Sequence, residues 1–174
     1  MNGLTGEHKE RCGMRVSAFH VFPALGAVCI ALWCLWQAPA RISEALVLRI
    51  YDWKTGAVYA EAPARSGSRL FFGWVHSLEK IPWNEYYHVD AQRTLVLDTI
   101  TFPAFGAGIP ENKGKSCRVR GGLIYMEEID QEFKELVWLN SHTATREIAL
   151  DGVFVTRGSE LPQHARLRLV IEAY

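Results

Sequence analysis

A run of 19 residues without a formal charge, 18 to 36 (AFHVFPALGAVCIALWCLW), divides this 174-residue chain into two unequal parts. As a helix rising about 1.5 Å per residue it covers roughly 28 Å, the thickness of the hydrocarbon layer of a bilayer. Such a run can be held in a membrane, removed with an export signal, or buried as a core helix. It is longer than the roughly 7 to 15 apolar residues of an export signal, and Trp33 and Trp36 close it where interfacial aromatics sit. We read it as a transmembrane anchor. Ala38-Pro39-Ala40 behind it fits a small-residue cleavage site and keeps the signal-peptide reading open. Lys9, Arg11 and Arg15 precede the run with Glu7 and Glu10, whereas Arg41 is the nearest base after it. That bias puts residues 1–17 in the cytoplasm as a tail, 18–36 across the inner membrane, and 41–174 outside as a periplasmic or extracellular domain.

The exported part, about 130 residues, is the size of one domain with its own core. The chain has 19 basic and 19 acidic residues, so bulk charge gives no support to a nucleic-acid partner. Of the four cysteines only Cys117 lies beyond the apolar run, which excludes an internal disulfide and, with no CxxC pair, a zinc ribbon.

Beyond residue 40 the apolar spacing changes to a period of two, the signature of strands. Residues 45–51 and 57–60 form an opening hairpin across Asp52 to Gly56. Residues 69–77 are apolar on both faces, as in a central strand: Leu70, Phe72 and Trp74 on one, Phe71 and Val75 on the other. A second hairpin joins 84–90 to 94–102, and further strands are expected at 123–128, 135–139, 146–150 and 166–173, with 129–134 as a turn of helix. About eight or nine short strands separated by turn signals define the fold class: an all-β, antiparallel sandwich or barrel-like domain behind one N-terminal transmembrane helix. Residues 103–122 contain five glycines and two prolines and read as a long loop.

Chemistry-bearing residues concentrate where the central strand ends: His76, Ser77, Glu79, then Trp83, Asn84 and Glu85. If the strand runs on, alternation points His76 with Trp74 and sends Ser77 and Glu79 to the opposite face, against a His-Ser dyad. Three readings fit the cluster. It is a structural turn whose polar groups bond to backbone, a ligand or partner surface with Trp83 and Tyr86 as aromatic anchors, or a metal or hydrolytic centre using His76, Glu79 and Glu85. The second feature is Phe105-Gly106-Ala107-Gly108, followed by Lys113, Lys115, Arg118 and Arg120. Its glycines permit an anion-binding nest with a positive field behind it, or a tight structural corner. No sequence motif assigns a catalytic residue, a metal ligand or a cofactor.

These motifs, His76-Ser77-Leu78-Glu79, Pro82-Trp83-Asn84-Glu85 and Gly106-Ala107-Gly108, resemble those of a bacterial family catalogued as domain of unknown function 1850. The resemblance extends over about residues 45–173, although Ile109 stands where relatives frequently carry Met. Members often accompany the fused permease of tripartite ATP-independent periplasmic (TRAP) transporters of the TAXI type. The resemblance therefore implies an accessory role and no enzyme: a membrane-anchored component that contacts the transporter's membrane subunit or its solute-binding protein. The candidate ligand- or partner-binding residues, taken from the two motif clusters, are His76, Ser77, Glu79, Trp83, Glu85, Phe105, Gly106 and Gly108. A periplasmic ligand-binding or metal-dependent β domain centred on His76 and Glu79 is the alternative.

Overall fold

Eleven strands are present in a computed structural model of the chain, which describes residues 45–106 and 113–174. The tail at 1–17, the run at 18–36 and Gly108 lie outside those residues. Among the described residues there is no α-helix, and no helix long and apolar enough to cross a membrane.

Strands β1 (Leu46–Asp52), β2 (Val58–Ala64), β8 (Leu136–Leu139) and β11 (Arg166–Ala173) form a four-stranded antiparallel sheet in the order β2-β1-β11-β8. The other sheet has seven strands: β3 (Arg69–Val75), β4 (Pro82–Val89), β5 (Leu95–Phe102), β6 (Ser116–Arg120), β7 (Leu123–Phe133), β9 (Thr145–Leu150) and β10 (Val153–Thr156), ordered β10-β9-β3-β4-β5-β7-β6. The core draws on both sheets. Leu46, Leu48 and Ile50 of β1 and Leu167, Leu169 and Ile171 of β11 alternate inward, and Leu70, Phe72, Trp83, Tyr87, Val89 and Ile148 do so from the larger sheet. Period-two patterning thus becomes two apolar faces brought together, the arrangement expected of an antiparallel all-β domain.

The opening hairpin forms as its turn residues dictate. Asp52 accepts hydrogen bonds from the backbone N–H groups of Lys54 (2.9 Å) and Thr55 (2.7 Å). Its second strand runs on through Pro63 to Ala64, tolerated because β2 is a sheet edge where a missing N–H breaks no ladder bond. The doubly apolar stretch at 69–75 is indeed internal, paired with β9 on one side and β4 on the other.

Three expectations need correction. Residues 129–133 are strand and not a turn of helix; β7 stays paired to β5 on both sides of a bulge in which Glu128 and Asp130 take positive φ (57° and 52°). The loop expected at 103–122 is shortened by β6, which pairs with β7 through a two-residue turn at Gly121 and Gly122, both left-handed (φ 55° and 79°). The third is β10, a strand absent from the sequence reading, folded back on β9 across Asp151-Gly152.

Candidate functional site

The motif that starts at His76 is a turn, because β3 ends at Val75. The His76 N–H donates to the Ile81 carbonyl at 2.8 Å, the Lys80 N–H donates to the His76 carbonyl at 2.9 Å, and Lys80 takes φ 57°. The Glu79 N–H donates to His76 Nδ1 at 3.3 Å, which leaves the ring proton on Nε2. The imidazole packs beside Trp74 and Trp83, with ring centroids 5.8 and 5.7 Å away. Alternation correctly paired His76 with Trp74. It did not govern Ser77 and Glu79, since the strand stops before them: Ser77 is exposed, and the Glu79 backbone turns back onto the His76 ring.

The two sequence motifs meet in space. A Cβ built on Gly106 would run into Glu79 Cδ and lie 2.7 Å from each of its carboxylate oxygens. Glu79 therefore rests on the bare α-carbon of Gly106, an approach that no other residue type permits without displacing it. An anion does lie against this glycine, and it belongs to the protein. Three of the four bases downstream are engaged elsewhere: Lys115 pairs with Asp130, while Arg118 and Arg120 both pair with Glu127 on β7. Most of the positive field expected behind the glycines is thus answered by the acidic residues of the adjacent strand.

Because the group in the way is the far end of a flexible side chain, Gly106→Ala should displace the Glu79 carboxylate rather than the backbone and lower stability by only about 0.5 kcal/mol in denaturant titration. In a Glu79→Ala background the same change should cost much less, because the displaced group is gone. Equal costs in the two backgrounds would refute the contact.

Glu127 carries a pH prediction. Burial works to raise its pKa, but the hydrogen bond and charge of Arg118, with the charge of Arg120, hold it below the ordinary value of 4.5. A depressed carboxylate stabilises the fold above its unfolded pKa and loses that contribution as pH falls through the folded value. Wild type should therefore exceed Glu127→Gln in urea midpoint at pH 7, with the gap closing below about pH 4. A gap that persists unchanged to pH 3 would show that the carboxylate's charge is not its source.

Trp83, expected as an exposed anchor, is 5% exposed. It stands on the inward face of β4 in step with Glu85, Tyr87 and Val89, and it stacks on Phe102 at 5.0 Å with planes 8° apart. Phe102 in turn meets Phe105 edge-on at 5.4 Å. An aromatic row thus runs from Trp74 through Trp83 and Phe102 to Phe105, which is 53% exposed. Leu78, beside Glu79, is 63% exposed. The outward aromatic of β4 is Tyr86, against Phe71 at 5.4 Å.

Glu85 stands on β4 and not in the turn that holds His76 and Glu79. Its carboxylate accepts hydrogen bonds from Trp83 Nε1 (3.0 Å) and the Tyr87 hydroxyl (2.6 Å), and it borders a cavity of about 470 Å³ between the sheets. Burial, then the neighbouring Glu85 charge, pushes the Tyr87 hydroxyl far above its usual pKa, so it remains a donor at neutral pH. Sequence reasoning missed Tyr87, Phe133 and Trp138 as cavity residues. The available signal was Glu85 itself, an acid in register with Trp83, Tyr87 and Val89 on an apolar face.

Among the described residues no three His, Cys, Asp or Glu side chains converge to hold a metal ion. His88 Nδ1 lies 2.8 Å from Asp98, and His142 Nε2 lies 2.9 Å from the Leu161 carbonyl, so neither joins His76 and Glu79 through these bonds.

The molecule is thus an antiparallel two-sheet β domain with two braced loops at one place and an acid-bearing cavity at another. Residues 71–155 match the family model described as Domain of unknown function (DUF1850), which supports the family that the motifs resemble. The matched stretch takes in nearly all of the seven-stranded sheet and β8, with the His76 turn, Glu85 and Gly106; β1, β2 and β11 fall outside it. No curated protein and no solved structure matches the chain.

Proposed function

We propose that the chain is an accessory component of a TAXI-type TRAP solute transporter, held in the inner membrane by residues 18–36 and working through its β domain on the periplasmic side. In this reading the braced loop pair is the docking end, and it meets the transporter's membrane subunit or the solute-binding protein. The observation that carries it is the exposure of Leu78 and Phe105 on either side of the Glu79–Gly106 contact. Phe105 is already packed edge-on against Phe102, and an exposed apolar side chain held in place loses little conformational freedom on binding, which suits it as an anchor. The motif resemblance supplies the class of partner, and the apolar run supplies the tether. A tether keeps a weakly binding domain at high effective concentration near its partner, so a small contact patch suffices.

The test is recovery of the neighbouring permease or solute-binding protein with the tagged full-length chain from native membranes. The wild type should retain one of them, and Leu78→Ser with Phe105→Ser should lower recovery at least tenfold with an unchanged circular dichroism spectrum. Recovery of neither protein, or equal recovery by the double variant, would reject this reading.

A further inference from the structure

The lining of the cavity between the sheets includes neither Leu78 nor Phe105, and nothing proposed so far uses it. Its volume of about 470 Å³ falls within the roughly 300–1,000 Å³ of small-molecule sites. Phe72, Trp74, Tyr87, Phe133 and Trp138 provide an aromatic wall, and Glu85 enters from β4. The two groups that bond to Glu85, an indole N–H and a phenol, are neutral donors. They orient the carboxylate without cancelling its charge, and among the described residues no cation is paired with it. The remaining charges on the lining are Glu135, already paired with Arg168 at 3.8 Å, and Lys113, which is exposed. One polar group on the wall has no hydrogen-bond partner among the described residues: the Trp138 indole N–H is buried with no acceptor.

An anionic ligand would meet the Glu85 carboxylate unfavourably, and a neutral one would leave that charge uncompensated. A cation gains twice, from charge-assisted hydrogen bonding to the carboxylate and from the negative faces of the aromatic rings. We propose that this cavity binds a small organic ammonium compound. Its cationic head sits on Glu85, its apolar body lies against the aromatic wall, and a hydrogen-bond acceptor on it answers the Trp138 N–H. The site is independent of the transporter reading and would stand if that reading failed.

Calorimetric titration of the full-length chain with phenethylamine, 2-phenylethanol and 3-phenylpropionate tests this, because the three share an aromatic body and differ in the charge of the head. The amine should bind saturably and at least tenfold more tightly than the alcohol or the acid. Glu85→Gln should weaken the amine at least tenfold and leave the alcohol unchanged. Ala144→Phe, which fills the cavity from its lining, should abolish amine binding without removing the Glu85 carboxylate. Equal binding of the three probes, preference for the acid, no saturable binding, or an Ala144→Phe protein that binds the amine as wild type does would each overturn the proposal. So would a folded Glu85→Gln variant with unchanged amine affinity. Should that variant fail to fold, the probe series on wild type and Ala144→Phe still decides.

Discussion

Trp83→Ala should destabilise the domain by about 4 kcal/mol, in the range for a large aromatic removed from a packed core, and lower the melting temperature by on the order of 10 °C or more. Three losses combine. The buried indole stacks on Phe102 and packs beside Trp74 and His76. Removing it leaves a void at the meeting point of both motif loops. It also takes away one of the two donors that orient Glu85. Trp83→Phe, which preserves stacking but not the N–H, should cost clearly less, about 1–2 kcal/mol, and the difference separates packing from hydrogen bonding. Urea titrations of the three proteins would measure it; a Trp83→Ala cost below about 1 kcal/mol would mean that the row of rings is not a structural spine.

Asn140→Ala should cost about 3 kcal/mol, and Asn140→Asp more. Asn140 is fully buried, and its Nδ2 serves three backbone carbonyls: Gly158 at 3.0 Å, Leu161 at 3.2 Å and Pro162 at 3.0 Å. Its backbone is bonded as well, donating to the Ala165 carbonyl and accepting from the His164 N–H. One side chain thus holds the short 3-10 turn at Gly158–Glu160 and the segment after it against the β8–β9 connection. Alanine strands those carbonyls away from water, and such groups are expensive to leave unmet. Aspartate keeps the shape but replaces the donor with a charged acceptor facing acceptors. Thermal unfolding of the two variants should rank Asp below Ala below wild type, and the reverse order would show that the amide's donors are not what matters.

The fold was largely legible because strand patterning is local. Leu46, Leu48 and Ile50, or Leu167, Leu169 and Ile171, announce a one-sided strand in their own spacing, and each lies in the core. Asp151-Gly152 and Gly121-Gly122 were legible turn signals too, yet β10 and β6 were missed because both strands are short and carry exposed side chains, so neither shows an apolar face. The bulge near Asp98 explains another difficulty. Leu95 and Leu97 face the core, then Ile100 and Phe102 do, and the shift of phase is absorbed where one residue is left unpaired against β4. A matching irregularity in β7 made residues 129–133 resemble a helical turn.

The candidate site divided along the same line. Sequence picked out His76, Glu79, Glu85 and Gly106 by residue type and position, but treated His76 to Glu85 as one cluster. Whether neighbours in sequence share a surface depends on where the strand ends. Because β3 stops at Val75 and β4 begins at Pro82, His76 and Glu79 lie in the turn, whereas Glu85 is carried inward on a new strand. By itself the sequence determined the all-β class, the central place of residues 69–75 and the identity of the two motifs, all of which follow from period, composition and turn chemistry. Only the tertiary structure decided that Glu79 rests on Gly106, that Trp83 is core, and that Glu85 faces a cavity with Trp138. Those contacts join residues from separate strands and loops, and nothing in local spacing encodes which distant α-carbon is bare enough to receive a carboxylate.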